Sequence, residues 1–424
     1  MKTVKIGFLG MGNVGSGAYA ILKNNAPLIE EREGLRIIVK RALVRSLDKA
    51  RPNGVETDIL TTNPQDVLND PEIEIIAEFL GGKEPAREYM LQALKNGKTV
   101  VTANKVALSQ CWPELEECAR EHNAGLYFEA SAAGGIPIIR TLISSMQAND
   151  IDRIMGIING TTNYILSAMS KDGRDYAPVL ADAQRLGLAE PDPTLDVEGM
   201  DAAFKLSILS SLAFHTRVPV DKVYVEGITN IAGADIRLGQ EFGLVLKLLA
   251  IGKKQDGHIE VRVHPTFIPE EHPLASIDGA TNAVFIRGNA VGELMLSGQG
   301  AGGLPTGSAV VSDIIYAAHQ DAHQYTTFPN IEQSQASFSY NWETGFYVRL
   351  TCPDRPGVLA AIAGVFARYG VSIASMVQKP ASNDDGVPLI FLTHSSKELS
   401  LKQAAEELAK LDQVKVNSII RVER

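Results

Sequence analysis

The chain has 424 residues, of which 45% are hydrophobic, 21% charged and 6% aromatic, a globular composition with length enough for several domains. A net charge of -10 without any Lys/Arg run excludes a protein that tracks a nucleic-acid backbone. No apolar run approaches the roughly 18 residues of a membrane helix, so a cytoplasmic protein with neither nucleic-acid nor membrane partner is expected. Cys111, Cys118 and Cys352 are odd in number and lack CxxC spacing, which predicts reduced thiols and neither a disulfide framework nor a zinc ribbon.

The opening stretch TVKIGFLGMGNVGSGAYAILKNN reads as strand, tight turn and helix. Apolar runs return at LRIIVKRALV, IEIIAEFL, TVVTA and GLYFEA, separated by helical segments such as PAREYMLQALKNG. That alternation predicts an α/β fold with a doubly wound parallel Rossmann sheet over residues 1–136, to which the chain returns at about 303–320. Over 137–302 the rhythm lengthens, and a mixed α/β substrate-binding, catalytic and dimerisation domain is expected. Residues 319–344, polar and rich in Gln and Ser, read as a linker. The remainder, 345–424, follows a βαββαβ order, a ferredoxin-like unit.

Gly10, Gly12 and Gly15 form G-x-G-x-x-G directly after the first strand and at the start of a helix. The first two glycines permit a tight turn and close approach of a pyrophosphate, and the third permits helix–strand packing, with Asn13 and Val14 opening the helix that meets the phosphates. An NAD site places Asp or Glu at the end of the second strand; here that strand ends in Val44, Arg45 and Ser46. A guanidinium there suits a 2′-phosphate, which predicts NADPH with NADH as the weaker alternative, unless Arg45 is merely a solvated loop charge.

Glu190, Asp192, Asp196, Glu198, Asp201 and Lys205 crowd the segment 183–209 beside an apolar helix. Asp201 and Lys205, four apart, share a helix face, which by spacing alone is a surface ion pair. The apolar neighbours Phe204, Leu206, Ile208 and Leu209 argue for burial instead, and a buried lysine needs partners.

At these residues EPDPTLDVEGMDAAFK resembles the signature of homoserine dehydrogenases, and INGTTNYIL, VTANK and GAGGLPTGSAVVSDI look like further segments of that family, over about residues 1 to 320. The resemblance implies NADPH-dependent interconversion of L-aspartate 4-semialdehyde and L-homoserine, on the route to threonine, methionine and isoleucine. It implies Lys205 as proton donor, supported by Lys105, which contacts cofactor or substrate, with Asp201 in the catalytic set. Glu190 and Asp201, joined by Asp196, would bind the substrate and its ammonium. Gly187 and Gly302 would lie on the nicotinamide side of the cleft. FEASAAGGIPI resembles a sodium site formed by the Glu129 side with carbonyls of Ala132, Gly134 and Ile136, oxygen donors that suit a hard cation. A homodimer or homotetramer is the family expectation.

LTCPDRPGVLAAIAGVFARYGVSIASM resembles the ACT domain, which typically binds an amino acid. Asp354, Pro356 and Gly357 sit between its first strand and helix, where a helix N-terminus can take a carboxylate. The unit either senses an amino acid, threonine being the expected effector, or only dimerises. Two other readings compete for the whole chain. An aspartate-semialdehyde dehydrogenase would need a nucleophilic Cys with a His partner. A sensor without catalysis would need neither lysine.

Overall fold

The computed structural model describes residues 1–424 apart from 50–53, 324, 327–335 and 381–385. The chain divides into two units. One comprises 1–159, 201–223 and 281–335, the other 160–200, 224–280 and 336–424.

In the first unit, strands β1 (Lys2–Leu9), β2 (Leu35–Leu43), β3 (Leu60–Thr61), β4 (Ile75–Glu78), β5 (Thr99–Thr102) and β6 (Leu126–Tyr127) form a sheet in the order β3-β2-β1-β4-β5-β6. Every neighbouring pair is parallel. Helices cover both faces, and β1 buries Val4, Ile6 and Phe8 on one face and Leu9 on the other. Helix Gly303–His319 packs on helix Asn13–Asn24. The order reverses between β1 and β4, and at such a switch point an open α/β sheet leaves its ligand crevice beyond the carboxyl ends of the strands. The same unit carries antiparallel strands Ile151–Ile157, Thr281–Gly288 and Gly292–Gln299. It also holds nearly all of helix Met200–Phe214, in which every residue from Asp201 to Phe214 is buried. Its polar groups must therefore find protein partners.

In the second unit, strands Leu244–Gln255 and His258–Pro269 form a twelve-residue antiparallel hairpin, turned at Asp256 and Gly257 with φ of 50° and 77°. Positive φ at both central residues is what a two-residue Asp-Gly hairpin requires. Strands Glu343–Cys352, Ile373–Gln378, Val387–Thr393 and Lys415–Val422 are antiparallel neighbours, and helices Val358–Arg368 and Glu398–Leu408 complete the ferredoxin-like order. Phe346, Val348, Leu350, Phe366 and Phe391 form its core. The fold is thus mixed α/β, with a Rossmann sheet and a C-terminal ACT unit.

The last strand of that unit does not end within it. Arg421 and Val422 pair in parallel with Thr266 and Phe267 of the hairpin. Arg421 donates to Glu398 and Glu226 and to the Tyr224 hydroxyl, while Glu423 accepts from Arg262, which is 0% exposed, and from Lys253. Asp235 takes the Arg349 guanidinium at 2.6 and 3.0 Å and the Tyr347 hydroxyl at 3.0 Å. The stretch read as a linker is also pinned where it is described. The Tyr325 hydroxyl donates to the carbonyls of Ala119 and Ala124, Ser337–Phe338 pairs with His258 and Ile259, and Trp342 is 1% exposed.

Candidate active site

The turn after β1 forms one wall of a cleft of about 640 Å³, lined by Gly10, Gly12, Asn13, Arg45, Lys49 and Phe79 among others. Gly10 has φ of 110°, and a Cβ on Gly15 would lie 2.5 Å from the Gly10 carbonyl oxygen, so neither position accepts a larger residue. A Cβ on Gly12 would meet nothing within 4 Å, which leaves its backbone open to the cleft. Gly12 caps helix Asn13–Asn24, whose first N–H groups and dipole favour an anion. Val14 and Gly15 follow in that helix, with Val14 packed against the core. Arg45 is exposed at the end of β2 on the same cleft, with Ser46 and Lys49 beside it.

A carboxylate with two lysines stands in the same unit. Asp201 opens helix Met200–Phe214. Its Oδ1 lies 2.6 Å from the Lys105 ammonium, and its Oδ2 accepts from Lys205 at 2.6 Å and from the Asn159 amide at 2.8 Å. Lys205 also donates to the Ile158 carbonyl at 2.8 Å. Burial alone would raise the Asp201 carboxyl, but the Lys205 and Lys105 charges and hydrogen bonds outweigh it and hold it well below the usual carboxylate range. The two lysines differ in access, with 37% of the Lys105 side chain exposed against 10% for Lys205. Helical spacing points to the Asp201–Lys205 pair. Lys105, 96 positions earlier, arrives because β5 ends at Thr102 and Asn104 caps the next helix by accepting from the Ala107 N–H at 3.0 Å.

The remaining candidates lie in several places. Glu190, Asp196 and Gly187 belong to the second unit: Glu190 is exposed, Asp196 accepts from the Thr161 hydroxyl at 3.1 Å, and Gly187 has φ of 72°. Gly302, with φ of 123°, precedes helix Gly303–His319 in the first unit. Both Glu129 carboxylate oxygens accept backbone N–H groups, from Ile139 at 2.9 Å and Arg140 at 2.7 Å, so this side chain serves as a helix cap. The Ile136 carbonyl accepts from Ile138. In the ACT unit Gly357, with φ of 92°, precedes helix Val358–Arg368, and Asp354 accepts from the Gln378 amide at 3.2 Å.

Sequence reading did not single out Glu78, Thr102, Asn104 or Asn159, all buried polar residues at strand ends or helix starts. Asn159 does lie within the quoted INGTTNYIL run, and Thr102 and Asn104 within VTANK. Cys111, Cys118 and Cys352 are free and buried, and burial pushes each thiol up, away from the thiolate that thioester chemistry needs. No helix among the described residues is long and apolar enough to cross a membrane.

Family models described as "Homoserine dehydrogenase, NAD binding domain", "Homoserine dehydrogenase" and "ACT domain" match residues 10–129, 137–315 and 346–413. The homoserine dehydrogenase of Synechocystis sp. is 42% identical over 436 residues, covering 99% of each chain. The crystal structure of a homoserine dehydrogenase from Thiobacillus denitrificans matches with a TM-score of 0.92 and 42% identity, covering 100% of this chain and 99% of that one. A hyperthermophilic archaeal homoserine dehydrogenase solved in complex with NADPH matches with a TM-score of 0.63 and 28% identity, covering 75% of this chain and 98% of its own. A nucleotide cleft at the sheet's switch point, a lysine–carboxylate–lysine array in the same unit and full-length relatives of one name agree, and the chain belongs to the homoserine dehydrogenase family of NAD(P)-dependent oxidoreductases.

Proposed function

We propose that the chain reduces L-aspartate 4-semialdehyde to L-homoserine with NADPH, Lys205 giving the proton to the nascent alkoxide. The observation that carries this reading is the Asp201 carboxylate held between Lys105 and Lys205. Bound in the Gly10–Gly15 cleft, the nicotinamide supplies the hydride to the aldehyde carbon. Negative charge then develops on the aldehyde oxygen, and a positioned ammonium both stabilises it and protonates it. Asp201, ionised throughout the working range, keeps both lysines in their cationic, donor form. Lys105, the more exposed of the two, meets cofactor or substrate, and Glu190 offers the substrate ammonium a carboxylate. Arg45 and Lys49, beside one another on the cleft, favour a 2′-phosphate over a bare ribose.

Sodium belongs to the same reading, taken by backbone oxygens of the Ala132–Ile136 turn. Glu129 contributes there through its main chain, because its carboxylate already accepts two N–H groups. Threonine is the effector of the ACT unit, its carboxylate meeting the helix that follows Gly357. The protein works in the cytoplasm, where its three buried thiols stay reduced, as a homodimer or homotetramer.

The test is NADPH oxidation by the purified protein with aspartate 4-semialdehyde, alone and with threonine, beside Lys205→Ala. The variant should keep its fold and NADPH affinity and lose turnover by roughly 100-fold or more. A folded variant turning over near the wild-type rate would remove Lys205 from the proton step, and threonine-insensitive turnover would remove the effector.

A further inference from the structure

Glu78 ends β4 and is 0% exposed. Its Oε1 accepts from the Leu80 N–H at 2.6 Å and from the Asn104 amide at 3.3 Å, and its Oε2 accepts from the Thr102 hydroxyl at 2.6 Å. The Asn104 amide also donates to the Gly82 carbonyl at 2.8 Å, the Thr102 hydroxyl accepts from the Asn104 N–H at 3.0 Å, and the Asn104 carbonyl oxygen caps Ala107. One carboxylate therefore fastens two segments to each other. The first is Phe79–Gly82, of which Phe79, Leu80 and Gly81 line the nucleotide cleft. The second is the start of the helix whose first residue is Lys105. A buried carboxyl is a costly means of joining two loops, since burial pushes it above its usual range while its hydrogen-bond donors pull the other way. An apolar contact would hold the chain with less penalty but would not fix donors and acceptors to tenths of an ångström.

We propose that Glu78 is a positioning residue for the reaction, setting Lys105 in register with the cofactor-lining loop through Asn104. The inference rests on the reading of Lys105 as a catalytic group. A carboxylate serves where an apolar side chain would not, because three donors on two segments converge on its two oxygens. Any slip of the Lys105 turn relative to Phe79–Gly82 breaks one of those bonds. Misplacement of a reacting group by about 1 Å costs on the order of 100-fold in rate, so a hydrogen-bonded clamp one residue from Lys105 has ample leverage.

The test is a double-mutant cycle on kcat and on KM for aspartate 4-semialdehyde, using Glu78→Ala, Lys105→Ala and the pair. Circular dichroism and thermal melting establish that each protein is folded. Glu78→Ala should lower kcat by roughly 10-fold or more with a smaller change in KM, yet by less than about 2-fold when Lys105 is already alanine. Glu78→Gln, which can still accept from Leu80 and Asn104 and donate to Thr102, should restore most of kcat. If Glu78→Ala fails to fold, Asn104→Ala cuts the same link and must show the same non-additivity. Equal losses in the two backgrounds, or no rescue by Gln, would overturn the role of Glu78 and leave Lys105 in place. A fully active Lys105→Ala would overturn both.

Discussion

Replacing Asp201 by Asn separates the charge of the lysine array from its shape. An amide accepts hydrogen bonds only through its oxygen, and its nitrogen faces the other ammonium as a second donor. Lys105, with 37% of its side chain exposed, can turn to water. Lys205, with 10% exposed and its ammonium against the Ile158 carbonyl, stays buried when the Asp201 charge is removed. Removing one partner of a buried ion pair costs about 3 kcal/mol at the low end, the end suited to a site that keeps the Ile158 carbonyl. At 1.36 kcal/mol for each tenfold change in proton affinity, that is about two pH units. Reduction needs the donor protonated, so kcat/KM should begin its alkaline fall about two pH units lower in Asp201→Asn than in wild type. Activity near pH 6 should be largely kept and activity near pH 9 largely lost. The assay is NADPH oxidation across that range at saturating cofactor, with folding checked at each pH. A profile scaled down uniformly with its midpoint unmoved would refute the claim that Asp201 acts by keeping Lys205 protonated.

Two further outcomes follow from other parts of the molecule. Arg45→Ala should lower kcat/KM for NADPH by about 10-fold and leave NADH nearly unchanged, because the loss of one charge-assisted phosphate contact is worth about 1.5 kcal/mol. An unchanged cofactor ratio would make Arg45 a solvated loop charge. His264 is 0% exposed, and burial, with Arg421 and Arg262 nearby, holds its imidazole well below the usual range. A depressed histidine contributes stability that is present above about pH 6.5 and lost as pH falls, since the unfolded chain takes up the proton first. Melting temperature should therefore decline between about pH 7 and pH 5, and more shallowly in His264→Gln; equal slopes would refute the assignment.

The Rossmann unit was legible because parallel strands buried on both faces appear as unbroken apolar runs, and because G-x-G-x-x-G fell between the first of them and a helix. The Asp201–Lys205 pair was legible as a four-residue spacing, and its burial was legible from Phe204, Leu206 and Ile208. Glu78 was not, since a single Glu closing the run IEIIAEFL looks like any strand entering a loop. Its partners Thr102 and Asn104 are drawn to it by strand order, which periodicity does not encode. The same holds for Arg262. In HIEVRVHPTFIP it occupies an alternating position that suggests a solvated face, and its burial is explained by distant partners, Glu423, 161 residues on, and the Trp342 ring. The stretch 319–344 reads as a linker because it lacks apolar period; among its described residues, the Tyr325 hydroxyl bonds to Ala119 and Ala124 and Trp342 packs on Tyr224 and His264, contacts that no pattern reveals. That the Glu129 carboxylate accepts the Ile139 and Arg140 N–H groups was likewise not legible, since it depends on how the backbone turns between residues 129 and 140.

The pairing of Arg421 and Val422 with the hairpin strand His258–Pro269 bears on the order in which the protein is made. The hairpin and its buried Arg262 leave the ribosome more than a hundred residues before the strand and the carboxylate that complete them. Throughout that interval a guanidinium destined for the interior lacks its Glu423 partner, and the hairpin edge at Thr266 and Phe267 lacks its neighbour. A chain cut before Lys415 would therefore leave the Thr266–Phe267 edge uncovered and Arg262 without Glu423, weakening the hairpin along with the ferredoxin-like unit it pairs with.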